Sequence, residues 1–367
     1  MNEMNKRQLR KINIKGFKSI KESSIDLNML NVLIGSNGAG KSNFVSIFTL
    51  LNDIIKHELQ THVNRRGGAG TFLFNGPKIT TELEIGFEFG ENSYGFVLSR
   101  TDNDTLFFRD ERFGYSGGFN HNNRLGSGHV ESAWERGGSN KIVEYVQPIL
   151  ANQAWRVYHF HDTSRNARVK DSHEIVDNLF LQFDASNLAA FLLRLKTDFK
   201  ESYDGIVKTI RLVAPYFGDF VLAPSNGSGK IILRWRQIGS EDIFNANQLS
   251  DGTLRFICLA VLLLQPKELQ PETIIIDEPE LGLHPFAITI FAELVKKTAF
   301  DKQIILSTQS VELLNEFEPQ DIIVVDRNDD GSVFKRLDEE KLREWLESDY
   351  SLGELWKKNI LGGRLSK

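Results

Sequence analysis

The chain has 367 residues, 41% hydrophobic and 25% charged, the balance of an ordinary soluble protein with room for one large domain or two modest ones. Its longest apolar run, residues 256–264, falls far short of the about 20 residues a membrane span needs, and the opening "MNEMNKRQLRKINIKGF" has charge but no apolar core, so we expect neither a membrane segment nor a secretory signal. A single cysteine, Cys258, excludes an internal disulfide and fits a reducing cytoplasm, and the net charge of −5 confines any nucleic-acid contact to a local basic patch.

In chain order, "KINIKGFKSI" and "LNVLIG" read as short strands, and "SNGAG" separates the second from an apolar-periodic helix, "KSNFVSIFTLLNDIIKHEL". "ITTELEIGFEF" and "YGFVLSR" alternate as strands, whereas "GYSGGFNHNNRLGSGHVE", rich in Gly and Asn, reads as a mobile loop. Residues 171–212 turn helical, with "NLAAFLLRLK" the clearest piece. A strand in "TIIIDEPE", a helix near "FAITIFAELVKKT", a strand in "QIILSTQS", a further helix and the strand "DIIVVDR" complete the series, with no internal repeat and no heptads. Strands alternating with helices predict an α/β fold with a mostly parallel sheet, whose ligands meet the carboxyl ends of its strands.

"GSNGAGKS" matches G-x-x-x-x-G-K-[ST] in full and lies between a strand and a helix, the context this motif requires. Gly35, Ser36, Asn37, Gly38, Ala39 and Gly40 form a loop whose glycines let successive N–H groups turn toward one anion, and the helix start at Lys41, Ser42 and Asn43 adds its positive end. Lys41 is placed to reach β- and γ-phosphates and the Ser42 hydroxyl to hold Mg2+, so a nucleotide site is expected. "SNGSGKII" (225–232) looks like a second copy, but Ile231 stands where the metal-binding hydroxyl belongs. Both its flanks, "DFVLAP" and "IILRWRQ", alternate as strands, and a hairpin turn is the better reading.

"TIIIDEPELGLHP" is an apolar strand that stops on two carboxylates. Asp277 suits hydrated Mg2+, which favours a carboxylate plus waters, and Glu278 suits the orientation or deprotonation of an attacking water. "NQLSDGTLRF" (247–256) is a polar turn that opens straight into an apolar helix, so Ser250 or Asp251 reads as its N-cap. The same hydroxyl, glycine and helix start are good anion donors, and the two readings are compatible.

Together these pieces resemble the ATP-binding-cassette (ABC) ATPases, in the soluble branch that includes RecF, SMC heads and OLD-family nucleases. "INIKGFKSI" looks like that branch's opening strand, "LSDGTLR" like its signature motif and "DEPELGLHP" like its Walker B and D-loop, over residues 11–326. The resemblance implies a P-loop NTPase of the ABC-head type, with a mixed or parallel sheet core, an antiparallel β subdomain and a compact helical lobe, using ATP and Mg2+. It further implies that Ser250, Asp251 and Gly252 close over ATP bound to Lys41 of a second copy, in a two-fold homodimer whose further assembly stays open. After "IILST" many members carry a switch histidine. Gln309 stands there in this chain; either it takes the switch role without the ability to become charged, implying slow turnover or little response to pH, or it merely ends the strand.

The family's Q-loop glutamine is Gln153 or Gln182. His159 and His161 share one strand face, but no further metal ligand is evident, and the basic runs "VNRRGGAG" and "SRNARVK" read as solvated loops or nucleic-acid contacts. About 200 residues between the phosphate loop and the signature leave no room for a long coiled coil, and about 60 after Gln309 leave none for a TOPRIM nuclease domain. Asp326 and Asp329 in "VVDRNDDG" read as a strand and its turn. "DYSLGELWKKNILGG" carries enough apolar surface either to dock on its own ATPase lobe or to serve as a handle for a partner. The expected division is 1–165 (first ATPase lobe), 166–265 (helical and signature lobe), 266–335 (ATPase core continued) and 336–367 (helical tail). The expected function is a cytoplasmic ATPase that dimerises around ATP and controls a separate effector, a nuclease or toxin in phage defence, since stand-alone relatives sit beside such genes. The alternative is a RecF-like repair ATPase acting on DNA.

Overall fold

The computed structural model describes residues 8–115, 121–136, 146–147, 150, 154–224, 227–348 and 350–363. The chain divides into two compact units, Met1–Arg156 with Glu318–Lys367, and Val157–Phe317.

In the first unit β1 (Leu9–Phe17) turns back into β2 (Ile20–Asp26), β3 (Leu30–Ile34) leads into the glycine loop, and α1 (Lys41–Ile55) and α2 (Leu59–Arg65) come next. β4 (Glu82–Phe89), β5 (Asn92–Arg100), β6 (Leu106–Tyr115) and β7 (His121–Gly126) join β1 and β2 in an antiparallel sheet of order β2-β1-β4-β5-β6-β7. Strict alternation sets its faces: Leu83, Ile85, Phe87 and Phe89 of β4 are buried, and Glu82, Glu84, Gly86 and Glu88 turn the other way. The Phe48 ring of α1 lies 6.5 Å from Phe87, and Trp155 stacks on Phe87 and Phe89 at 6.4 and 5.4 Å. Each fully buried Phe in this layer contributes about 1.5–3 kcal/mol, which seats α1 on the sheet.

Most of the described residues of the stretch expected to be a mobile loop (114–131) are strand. β6 runs on to Tyr115 and pairs with β7 in the register Tyr115↔His121 and Gly114↔Asn122, while residues 116–120 lie outside the described residues. Gly114 serves closeness rather than flexibility, because a Cβ there would lie 2.3 Å from Ser93 Oγ.

In the second unit α3 (Leu188–Asp198) and α4 (Lys200–Val213) precede a three-stranded antiparallel sheet of β8 (Phe217–Phe220), β9 (Arg234–Gln237) and β10 (Ile243–Asn245). The helical pattern expected from residue 171 begins only at Leu188. The buried Asn187 side chain gathers the preceding loop, donating to the carbonyls of Asp177 (2.9 Å) and Phe180 (2.8 Å) and accepting from Gln182 N–H (2.9 Å). α5 (Asp251–Leu264) is buried without a break from Leu254 to Leu263, as an interior helix must be. β11 (Thr273–Asp277) and β12 (Gln303–Thr308) pair in parallel with Asp277 opposite Ser307, and α6 (Pro285–Thr298) connects them. Every residue of both strands is buried, which explains their unbroken apolar runs.

The chain then returns to the first unit. β13 (Ile322–Asn328) runs parallel to β3 with Val324 opposite Ile34, and β14 (Gly331–Arg336) turns back antiparallel to it. α7 (Leu352–Lys357) starts at a capping box of Ser351 and Glu354 and buries Leu352, Leu355 and Trp356. Of the two readings for this segment, packing within its own chain is what the structure shows.

Candidate functional site

The site residues expected from sequence fall into two groups, one in each unit. In the first unit the loop after β3 enters α1 at Gly40. Gly38 and Gly40 have φ of +80° and +121°, the left-handed region that glycine adopts without strain. Gly35 is required by close approach: a Cβ there would lie 2.2 Å from the Val325 carbonyl oxygen. Beneath the loop runs a directed chain of hydrogen bonds. Ser332 Oγ donates to Ala39 O (2.6 Å); Ser19 Oγ must therefore donate to Ser332 (2.7 Å), and Asn43 Nδ2 donates to Ser19 (2.7 Å). A Cβ on Gly40 would meet Ser332 Oγ at 2.1 Å, so the glycine and its brace require one another. Lys41 is buried and donates to the carbonyls of Gly35 (2.6 Å) and Ser36 (3.2 Å), while Asn37, Gly38 and Ser42 are exposed at the rim.

Beside Asn43 opens a hollow of about 540 Å³ lined by Lys18, Ser19, Arg66, Thr71 and Arg327. Lys18 Nζ donates to Ser46 Oγ (2.8 Å) and lies over the rings of Phe17 and Phe72 at 5.3 and 5.8 Å. Burial, and then the charge of Arg66, lower its pKa from 10.5 to about 8. Arg327 Nη1 donates to Gly38 O at 3.3 Å. Sequence reading placed Lys18 in an opening strand and Arg66 in a basic run, and missed that the fold brings them to one hollow. A cation directly after "GF", in the turn between β1 and β2, was the available signal.

In the second unit, β11 delivers Asp277 with its side chain buried and its Oδ1 without a hydrogen-bond partner; Ser307 Oγ, opposite it in register, is likewise unpartnered. A buried acceptor left unpaired costs about 1–3 kcal/mol. A hard carboxylate oxygen with a hydroxyl beside it is the donor set that hydrated Mg2+ takes, so these residues fit that ion. His161 Nε2–H donates to the Asp277 carbonyl (2.7 Å), and His159 Nδ1 lies 3.9 Å from Asp277 Oδ2. Among the described residues no three His, Cys, Asp or Glu side chains are grouped to hold a metal by themselves. Of the two glutamines considered for the Q-loop, Gln153 lies outside the described residues, and Gln182 donates to Asp177 (3.1 Å) in the loop around Asn187. The two histidines, not Gln182, flank Asp277.

Glu278 takes a left-handed φ of +45° with its N–H on the Ser307 carbonyl (2.7 Å). A non-glycine held there costs on the order of 1–3 kcal/mol and turns the carboxylate away from the strand direction. Gln309 Nε2 donates to Glu278 Oε1. Glu280, which the sequence reading did not single out, accepts from Thr308 Oγ1 (2.7 Å) and from the Gln309 N–H (3.1 Å). Burial raises its pKa against those bonds. Glu280 thus fixes the backbone at Gln309, and Gln309 fixes Glu278.

Ser250 caps α5 by accepting from Thr253 N–H (3.2 Å), and its hydroxyl pairs with that of Thr253 (2.8 Å). Asp251 is exposed, with Lys170 Nζ at 3.9 Å. Gly252 is forced by the loop after Glu280, since a Cβ would meet the Gly282 carbonyl oxygen at 2.3 Å. One turn on, Arg255 is buried and donates to the carbonyls of Phe160 (2.8 Å) and His161 (2.9 Å), which ties the start of α5 to the segment that flanks Asp277; that segment, with His159 and His161, lies outside any strand and not on one strand face as expected.

The look-alike turn in residues 225–232 leads into a strand. Lys230 and Ile231 pair with Glu174 and His173, whereas a phosphate loop leads into a helix.

Two solved structures share this architecture. The Smc head bound to the C-winged helix domain of ScpA is 18% identical, with a TM-score of 0.56 over 91% of this chain and 99% of that one. The Smc head with an extended coiled coil, bound to the C-terminal domain of ScpA and derived from Pyrococcus furiosus, is 17% identical, with a TM-score of 0.53 over 93% and 99%. At such identities the likeness shows the fold alone, the α/β fold of an Smc head domain. No curated protein matches the sequence. Residues 30–315, well over half of the chain, match the family described as "AAA domain, putative AbiEii toxin, Type IV TA system", and the chain belongs to that family of P-loop ATPases.

Proposed function

We propose that the chain hydrolyses ATP as a switch, dimerises around the nucleotide and controls a separate effector. The observation that carries hydrolysis is the acidic strand end, where Asp277 keeps an unpartnered buried oxygen and Glu278 is turned out of the strand onto Gln309. In this reading Lys41 and the N–H groups of the glycine loop hold the β- and γ-phosphates, and Ser42 and Asp277 hold Mg2+. Bound Mg2+ neutralises charge on the β- and γ-phosphate oxygens. Glu278 orients or deprotonates the attacking water, and Gln309, which stays neutral, positions Glu278 by hydrogen bonding. Lys18, Arg66 and Arg327 supply further positive charge for the nucleotide's anionic part.

Ser250 and Gly252, with the start of α5, offer anion donors to a nucleotide bound by a second copy; with the Thr253 N–H and hydroxyl both donating to Ser250 Oγ, the Ser250 O–H is left to donate to the anion. An effector outside the chain is supported by the two Smc heads, each bound to a domain of ScpA, and the family's description, a putative toxin of a type IV system, points to a toxin-associated role. The test is the solution mass of Glu278→Gln by light scattering, with and without ATP and Mg2+, beside the same variant carrying Ser250→Arg. ATP should double the mass of the first and leave the second unchanged; a mass indifferent to ATP in both sinks the dimer switch.

A further inference from the structure

We propose that residues 352–363 form a strap that holds the phosphate loop in its binding shape, with Gly363 and Asp326 as positioning residues for nucleotide. The inference rests on the nucleotide-binding reading and goes beyond it, because none of these residues belongs to the phosphate motif.

The contact centres on one peptide unit, that between Gly35 and Ser36. Its carbonyl accepts from Lys41 Nζ at 2.6 Å, and its N–H donates to the carbonyl of Gly363 at 2.7 Å. The lysine and the strap therefore hold opposite ends of the same rigid plane. Gly363 is fixed in turn, its N–H donating to Asp326 Oδ2 at 3.3 Å. Two further features show the fit is built. Gly362 and Gly363 both have left-handed φ, +81° and +77°, and a Cβ on Gly363 would come within 2.9 Å of Val324 Cγ1 and 3.5 Å of Gly35 Cα. Upstream, the capping box at Ser351 and Glu354 starts α7, and the buried Leu355, Trp356 and Leu361 anchor it. A segment that merely covered apolar surface would not need two left-handed glycines ending on a loop N–H.

The shared plane has a consequence for binding. When phosphates draw the Lys41 ammonium forward, its bond to the Gly35 carbonyl is lost, and the strap alone keeps that peptide from rotating. Strap and nucleotide are then thermodynamically linked, and each must tighten the other by the same factor.

The experiment measures mant-ATP affinity in the presence of Mg2+ for the wild-type chain, Gly363→Val, Asp326→Ala and Asp326→Asn, with nucleotide-free melting temperatures alongside. In parallel, trypsin cleavage at the exposed Lys357 and Lys358 is monitored with and without a non-hydrolysable ATP analogue. Gly363→Val, which also strains the left-handed φ and the contact with Val324, should weaken binding tenfold or more with a lower nucleotide-free melting temperature, and Asp326→Ala should weaken it about threefold to tenfold at unchanged melting temperature. Asp326→Asn, which keeps an acceptor, should recover most of the affinity. The analogue should slow cleavage in the wild type and not in Asp326→Ala. If the wild type fails to bind mant-ATP, the nucleotide reading falls and the strap with it. If the wild type binds and the variants match it, the strap alone is overturned. Should Asp326→Ala lose affinity only in step with melting temperature, the segment is structural and the positioning role is wrong.

Discussion

Two turns of this chain spell nearly the same thing, "SNGAGKS" at 36–42 and "SNGSGKI" at 225–231, yet the fold treats them in opposite ways. In the first, Gly40 is demanded by Ser332, and Gly35 just ahead of it by the Val325 carbonyl, while Gly38 meets nothing within 4 Å and serves φ. In the second, a Cβ on Gly227 would meet nothing within 4 Å and one on Gly229 only the Glu174 carboxylate at 3.8 Å, so those glycines serve φ alone. Lys41 is buried over its own loop, whereas Lys230 is exposed and pairs with Glu174 at 3.7 Å. A phosphate loop is thus a braced object: its glycines are set by what lies behind the loop as much as by the anion ahead of it.

The sharpest way to break the comparison is to remove each lysine in turn. Lys41→Ala should abolish detectable ATP binding in calorimetry, a loss of roughly 100-fold or more, while Lys230→Ala binds as the wild type does. Equal effects would mean that the two turns share a role after all. Next in size, Glu278→Gln should lower ATP turnover by roughly 10²–10⁴-fold, the range for a positioned proton acceptor, with affinity retained. Unchanged turnover would move the catalytic carboxylate elsewhere. A smaller effect belongs to the brace. Ser332→Ala cuts the hydrogen-bond chain from Asn43 to Ala39 and leaves buried groups unpaired, which should cost about 1–3 kcal/mol in denaturant unfolding and weaken nucleotide binding several-fold. If stability falls but affinity does not, the brace supports the fold and not the loop.

Legibility in the sequence divides along the same line. The phosphate loop and the "DE" strand end were legible because their chemistry is contiguous: backbone N–H groups in one loop, and two carboxylates at the end of one apolar strand. The brace from Ser332 and Ser19, the hollow that gathers Lys18 with Arg66 and Arg327, and the peptide shared by Lys41 and Gly363 were not legible, because each joins segments far apart in the chain. Two local misreadings also have tertiary causes. Gly114 looked flexible and is a ladder position pressed against Ser93, and the helix expected from residue 171 waits for Leu188 because Asn187 draws its preceding loop into a hydrogen-bonded knot. Glu280 was visible in "DEPE", but only the fold shows its carboxylate under the Gln309 backbone.

The smallest effect is one of pH, and it tests whether the hollow beside the first turn serves the nucleotide. Lys18 titrates at about 8 in the fold against 10.5 when unperturbed, because burial and Arg66 disfavour its charged form. Between those values the unfolded chain carries a proton that the folded chain has released, so this residue makes the fold more stable as pH rises from about 8 toward 10.5, and least favoured below about 8. An anion in the hollow acts the other way. It favours the charged lysine and raises its pKa, so nucleotide binding above about pH 8 must take up protons and weaken as the pH climbs. Calorimetry at about pH 8.5 in two buffers of different ionisation enthalpy reads that uptake directly. The wild type should show a fractional proton taken up per nucleotide, and Lys18→Met should show none. Equal uptake in both would place the anion away from Lys18 and reduce the hollow to a solvated pocket of surface charge.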